Sequence, residues 1–215
     1  MAFERKYWNM EAEMLLNTPQ VREVQFAKLK KLMERLYNTK PFWKERMDKA
    51  GATPEKIKSL DDFSRSMPIM DKAQRRQLIL DCGGDTIKMA DMTMAVPIDQ
   101  VTLMAATSGT TGDPTPYPNT RNDIALYQEL FARIAWRMGV RPGNRIAHAF
   151  GLSMWLAGVP YVHYMQGVGA CVLPVGAEGG TERLLQFIKQ LKADMLVGTP
   201  SLVEHLIEKA PKLFG

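Results

Sequence analysis

Between Ala106 and Thr115 the chain reads Ala-Thr-Ser-Gly-Thr-Thr-Gly-Asp-Pro-Thr, so that hydroxyl side chains and glycines alternate through Thr107, Ser108, Gly109, Thr110, Thr111 and Gly112. Glycine allows backbone N–H groups to come close to phosphate oxygens and tolerates positive φ, while Ser and Thr hydroxyls add further donors. The chemistry such a run suits is the wrapping of a polyphosphate. It is not a Walker loop, because no Gly-Lys-Ser/Thr follows, and it is not G-x-G-x-x-G. Ser108 lies outside any G-x-S-x-G pattern, which argues against a hydrolase nucleophile. Taken alone, the run reads first as an ordinary Gly/Thr turn between strand and helix. His148, His163 and His205 have no metal-ligand spacing and are assigned no metal or catalytic role. Cys82 and Cys171 stand far apart and suggest neither a metal site nor a disulfide framework.

The loop has to be held by its neighbours. Val101 to Ala106 reads as a buried strand running into it, and Thr107 to Asn119 as the loop itself. Thr120 and Asp123 form a capping-box start for a helix whose Ile124, Tyr127, Phe131, Ile134 and Met138 share one face, ended by Gly139. Arg145 to Phe150 reads as a strand, a helix then runs through Trp155 and Tyr164, and Ala170 to Val175 is the next strand. A helix from Thr181 with Leu184, Leu185, Ile188 and Leu191 inward, a strand from Met195 to Gly198, and a last helix capped by Ser201 with Glu204 complete the series. Strands alternating with helices of this length predict an α/β fold with a mainly parallel sheet flanked by helices.

The part before this alternation is α-rich. Thr18-Pro19 is expected to cap and open a helix carrying Val21, Gln25, Leu29, Leu32, Met33 and Leu36, closed by Asn38-Thr39-Lys40-Pro41. Short helical pieces are expected from Phe42 to Leu80, and a connector without period from Asp81 to Asp99. The predicted division is residues 1–99 as an α-rich section and 100–215 as a βα-repeat unit. A formal net charge of +5, with 46% hydrophobic and 24% charged residues, suits a globular protein. No basic face with groove-reading motifs points to nucleic acid, and Lys28, Lys30, Lys31 and Arg35 read as the wet side of a helix. No apolar run reaches the ~20 residues of a membrane span and no leader follows Met1, so a cytoplasmic location is expected.

Thr107-Ser108-Gly109-Thr110-Thr111-Gly112 with Pro114 resembles the phosphate loop of the adenylate-forming superfamily. Tyr37 to Trp43, Ser59 to Phe63 and Met67 to Lys72 resemble segments of its phenylacetate–CoA ligase branch, as do Phe150-Gly151-Leu152, Gly169 to Val175, Gly180 to Arg183 and Met195 to Ser201. The resemblance runs from about Tyr7 to Lys209. It implies an AMP-forming acid–CoA ligase that uses ATP, Mg²⁺ and CoA and acts on an aryl or related carboxylic acid. By the same resemblance the Thr107 to Gly112 loop holds the nucleotide phosphates, and Phe150, Gly151 and Leu152 line the acid pocket. A core aromatic at a strand end is the other reading of Phe150, and packing is the reading of Trp155, Tyr161 and Tyr164.

The sequence departs from the family at Asp113 and Thr115, where lysine is usual in the branch and in the wider superfamily respectively. An acidic Asp113 beside a triphosphate needs Mg²⁺ or a lysine from elsewhere to offset it. The family's later acidic residue, ribose-binding aspartate and mobile lysine have no counterpart up to Gly215, so the chain is expected to be a fragment, inactive alone, whose exposed apolar surface favours a homodimer. Two further readings remain: a nucleotide-binding or interaction module without turnover, and an adenylating enzyme with an acceptor other than CoA.

Overall fold

The computed structural model describes residues 5–107 and 115–214. They fall into two compact units, Asn9–Gln100 and Val101 onward together with the stretch ending at Trp8.

The unit Asn9–Gln100 is helical. A short helix α1 (Met10–Met14) precedes the long α2 (Gln20–Thr39) and α3 (Pro41–Ala50). Three more follow: α4 (Leu60–Ser66), α5 (Lys72–Asp81) and α6 (Thr86–Thr93). Met33, Met47, Ala52 and Ile57 form its buried centre, with Leu29, Leu36 and Trp43 packed against them. Thr18 does not cap α2: its hydroxyl donates to the Leu15 carbonyl at 2.7 Å, and Pro19 takes the cap position with no side-chain bond. The expected connector after Asp81 contains α6. Eight residues are too few to reveal a period, but Asp85 caps them, accepting from the N–H groups of Ile87 and Lys88 at 3.0 and 2.9 Å.

In the second unit the strands β3 (Arg145–His148), β4 (Cys171–Pro174) and β5 (Met195–Val197) make a parallel sheet in the order β4-β3-β5. Alternate residues divide between two cores, as a pleated strand requires. Ile146, Val172, Met195 and Val197 join Ala132, Ala135 and Trp136 of α7 (Arg121–Arg137), with Met165 of α8 (Val159–Met165). Ala147 and Leu196 join Leu184 and Leu185 of α9 (Gly180–Gln190) and Leu206 of α10 (Pro200–Phe214). Helices thus cover both faces, and the expected α/β architecture with a parallel sheet is present.

Four local expectations are corrected. The strand β1 (Val101–Ala106) pairs antiparallel with β2 (Pro116–Thr120), so part of the expected loop is strand. Two prolines, which cannot donate to a ladder, disguised β2, and an edge position tolerates them. On α7 the capping box of Thr120 and Asp123 forms as read, but the inward stripe is Ala132, Ala135 and Trp136, while Ile134 and Met138 are 53% and 66% exposed. Small alanines do not stand out as an apolar face, and the helix backbone packs chiefly on α8 and the turn that follows it. At α10 it is Thr199, not Ser201 with Glu204, whose hydroxyl accepts from an amide of the first turn, Leu202 N–H at 3.3 Å, directly before Pro200. Leu191, read as inward, is exposed.

Candidate active site

The carboxyl ends of β3 and β4 and of β1 meet around one loop, Phe150 to Gly158. Ala106, the last residue of β1, donates its N–H to the Met154 carbonyl at 2.7 Å and forms an isolated parallel bridge with Trp155. One residue later Thr107 N–H donates to the Thr115 carbonyl at 3.2 Å, which closes the base of the hydroxyl- and glycine-rich segment, with Thr115 6% exposed. Ser108, Gly109, Thr110, Thr111 and Gly112, like Asp113 and Pro114, lie outside the described residues. Their anchor Thr107 is tied, through Ala106, to the loop that carries Phe150, Gly151 and Leu152.

The helix expected through Trp155 begins only at Val159. Gly158 explains the delay, because a Cβ there would sit 2.5 Å from the Gly151 carbonyl oxygen and 2.8 Å from that of Ser153. The loop folds back on itself at a point where only glycine fits, and Pro160 then fixes the first turn of α8. This leaves Trp155 outside the helix and 39% exposed.

Phe150 is the centre of an aromatic cluster. Its ring meets Trp155 edge-on at 5.5 Å, Tyr161 at 6.2 Å and His148 at 5.7 Å. Such T-shaped contacts hold a ring in one orientation. His148 is 1% exposed, and one ring nitrogen, Nε2, lies 2.8 Å from the Ala157 carbonyl, so that the proton belongs on Nε2 and Nδ1 carries the lone pair. Nδ1 has no hydrogen-bond partner among the described residues. Burial pushes the His148 pKa below the ordinary 6.5, although the Ala157 carbonyl and the Glu178 charge pull it up. The imidazole is therefore a neutral brace for the loop.

Glu178, in the turn after β4, reaches the same loop: Leu152 N–H lies 3.0 and 3.1 Å from its two carboxylate oxygens. The N–H of its own residue and that of Leu152 hold its carboxyl below the usual glutamate value. Sequence reasoning missed His148, Trp155 and Glu178 as parts of this constellation. The signal for Trp155 was present in Gly158 and Pro160, which mark the helix start; nothing local betrays Glu178.

No protein-family model matches the sequence. Among curated proteins it is 31% identical over 192 residues to the phenylacetate–coenzyme A ligase of Thermus thermophilus, covering 89% of this chain and 40% of that protein. The corresponding Escherichia coli ligase is 30% identical over 196 residues, covering 91% and 42%. The chain is a homologue of the phenylacetate–coenzyme A ligases. It spans about 40% of the length of these ligases. Among solved structures, 2-hydroxyisobutyryl-CoA ligase in its postadenylation state with 2-HIB-AMP superposes at a TM-score of 0.81 and 25% identity, covering 99% of this chain and 43% of that one. The same ligase with 2-HIB-AMP and CoA in the thioesterification state gives 0.79 and 28%, covering 92% and 41%. The sequence is thus like that of phenylacetate–coenzyme A ligases, and the fold like that of a 2-hydroxyisobutyryl-CoA ligase.

Proposed function

We propose that this chain forms the nucleotide- and acid-binding part of an AMP-forming acid–CoA ligase acting on an aryl or related carboxylic acid, with residues 100–215 as the binding unit and 1–99 as a helical companion. The observation that carries the reading is the tie between Ala106 and Met154–Trp155, because it sets the root of the hydroxyl- and glycine-rich segment beside the aromatic loop. The homology to phenylacetate–coenzyme A ligases and the fold shared with a ligase bound to an acyl-adenylate support it.

In this reading Thr107, Ser108, Gly109, Thr110, Thr111 and Gly112 hold the ATP phosphates, and Phe150, Gly151 and Leu152 line the acid site with Trp155 as an added aromatic wall. A carboxylate oxygen of the acid attacks the α-phosphorus, the acyl-oxygen–phosphorus bond forms, and pyrophosphate leaves. The CoA sulfur then attacks the acyl carbon, AMP leaves, and the thiol proton passes to solvent. The chain's part is to hold acid and α-phosphorus in line, which lowers the entropic share of the barrier. Among the described residues no group of three or more His, Cys, Asp and Glu could hold a metal ion. Mg²⁺ would be carried chiefly by phosphate oxygens, as is common for that ion. No helix among the described residues is long and apolar enough to cross a membrane.

The test is ATP binding to Thr110→Val and Thr111→Val, which keep side-chain shape and remove a hydroxyl donor. Losing one charge-assisted bond costs about 1.5–3 kcal/mol, so ATP affinity should fall by about tenfold to a hundredfold. Unchanged affinity in both variants would assign the segment to an ordinary turn.

A further inference from the structure

Beyond the ends of β3 and β4 the two segments continue to be stitched together. Gly176 N–H donates to the His148 carbonyl at 3.0 Å, and Ala177 N–H to the Phe150 carbonyl at 3.3 Å. The next rung is not backbone to backbone: Leu152 N–H finds its acceptor in the Glu178 carboxylate, shared between two oxygens at 3.0 and 3.1 Å.

The chain on either side is shaped around that carboxylate. A Cβ on Gly151 would stand 3.1 Å from Glu178 Oε1, and one on Gly176 would stand 2.5 Å from Oε2. Gly176 also has φ of +72°, a conformation that favours glycine. Both strands of the clasp therefore run without side chains under the charged group. The residue joined by it is the third of Phe150-Gly151-Leu152, two positions after the ring at the centre of the aromatic cluster.

We propose that Glu178 is the positioning residue of the acid pocket, clamping the segment after Phe150 through the Leu152 N–H and so fixing where the pocket wall stands. This inference rests on reading Phe150, Gly151 and Leu152 as that pocket. A carboxylate is suited to the task because a charged acceptor binds an N–H more strongly than a neutral one. It also lies at the surface, on a turn outside the sheet, so removing its charge should loosen the loop without unfolding the unit. Two buried cores, built from other residues, hold the sheet.

The experiment follows backbone amide resonances of the chain with pH, in the native sequence, in Glu178→Gln and in Glu178→Ala, and then titrates each with phenylacetate as the probe acid. The Leu152 amide of the native chain should move upfield on acidification with a midpoint below 4.5, the ordinary glutamate value, and should lose this titration in both variants. A purely structural contact without the charge would not give that profile. At neutral pH the affinity for phenylacetate should fall by about threefold or more in Glu178→Ala, with Glu178→Gln between, while amides of β3 and β4 keep their shifts. A Leu152 amide that ignores pH below 5, or equal phenylacetate affinity in all three proteins, overturns the proposal. If the native chain does not bind phenylacetate at all, the pocket reading fails and the positioning role falls with it, while a retained Leu152 titration would still establish the clamp as a contact.

Discussion

Replacing Gly158 with alanine is the sharpest perturbation of the aromatic loop. The added Cβ would meet three carbonyl oxygens, of Gly151 at 2.5 Å, Ser153 at 2.8 Å and Trp155 at 3.1 Å. Carbon–oxygen contacts settle near ~3.3 Å, so the worst overlap is about 0.8 Å. All three obstacles are backbone, and the Gly158 N–H is itself bonded to the Trp155 carbonyl at 2.8 Å. Relief therefore requires the loop to open. Overpacking costs about 1–3 kcal/mol and the lost Gly158 bond about 0.5–1.5 kcal/mol, for a total of about 1.5–4.5 kcal/mol. Opening should also free the Ala106 N–H from Met154 and loosen the root of the hydroxyl- and glycine-rich segment. The assay is urea unfolding followed on amide signals of β3 and α8, with hydrogen exchange read at Ala106. Gly198→Ala is the control, because its Cβ would meet the movable Leu202 side chain at 3.3 Å. A loss below about 0.5 kcal/mol in Gly158→Ala, the range of a surface substitution, with Ala106 still protected, would refute the close-packed loop.

The corrected face of α7 makes opposite forecasts for adjacent residues: Ile134→Ser and Met138→Ser should each change unfolding free energy by no more than about 0.5 kcal/mol, whereas Ala135→Leu should cost about 1–3 kcal/mol. Trp136→Ala should cost about 3–5 kcal/mol in the same measurement, since the ring joins the core and carries Trp8 edge-on at 5.7 Å. Burial lowers the His148 pKa in the folded chain, so below pH 6.5 the unfolded chain binds a proton that the folded one refuses. Stability should fall as pH drops from 6.5 toward the folded value, and in His148→Gln this part of the slope, measured by urea unfolding between pH 7 and 5, should disappear.

Much of the α/β unit was legible because its signals are local. The capping box at Thr120 and Asp123, and the short apolar runs at β3, β4 and β5, each fix an element without help from distant residues. Where the reading failed, a tertiary term outweighed the local one. Pro116 and Pro118 deny a strand that β1 nevertheless recruits, and Ile134 and Met138 are apolar yet face outward while the small Ala132 and Ala135 are buried. At the site, the hydroxyl-rich run and Phe150 were visible as residue types. His148 and Glu178 were not, since an imidazole bracing Ala157 and a carboxylate reaching Leu152 depend on chain reversals that no short window contains.

If nucleotide phosphates and the acid meet at one place, between Thr107 and the Phe150 loop, a paramagnetic ion carried by the nucleotide must act on both. The most direct measurement adds ATP with Mn²⁺ in place of Mg²⁺ to the chain in the presence of phenylacetate, and records paramagnetic broadening of protein amides and of the phenylacetate protons. The account predicts loss of the Thr107 and Thr115 signals, then of Met154 and Trp155, together with fast relaxation of bound phenylacetate. Broadening confined to residues far from Thr107, or bound phenylacetate that keeps its relaxation rate, would contradict it.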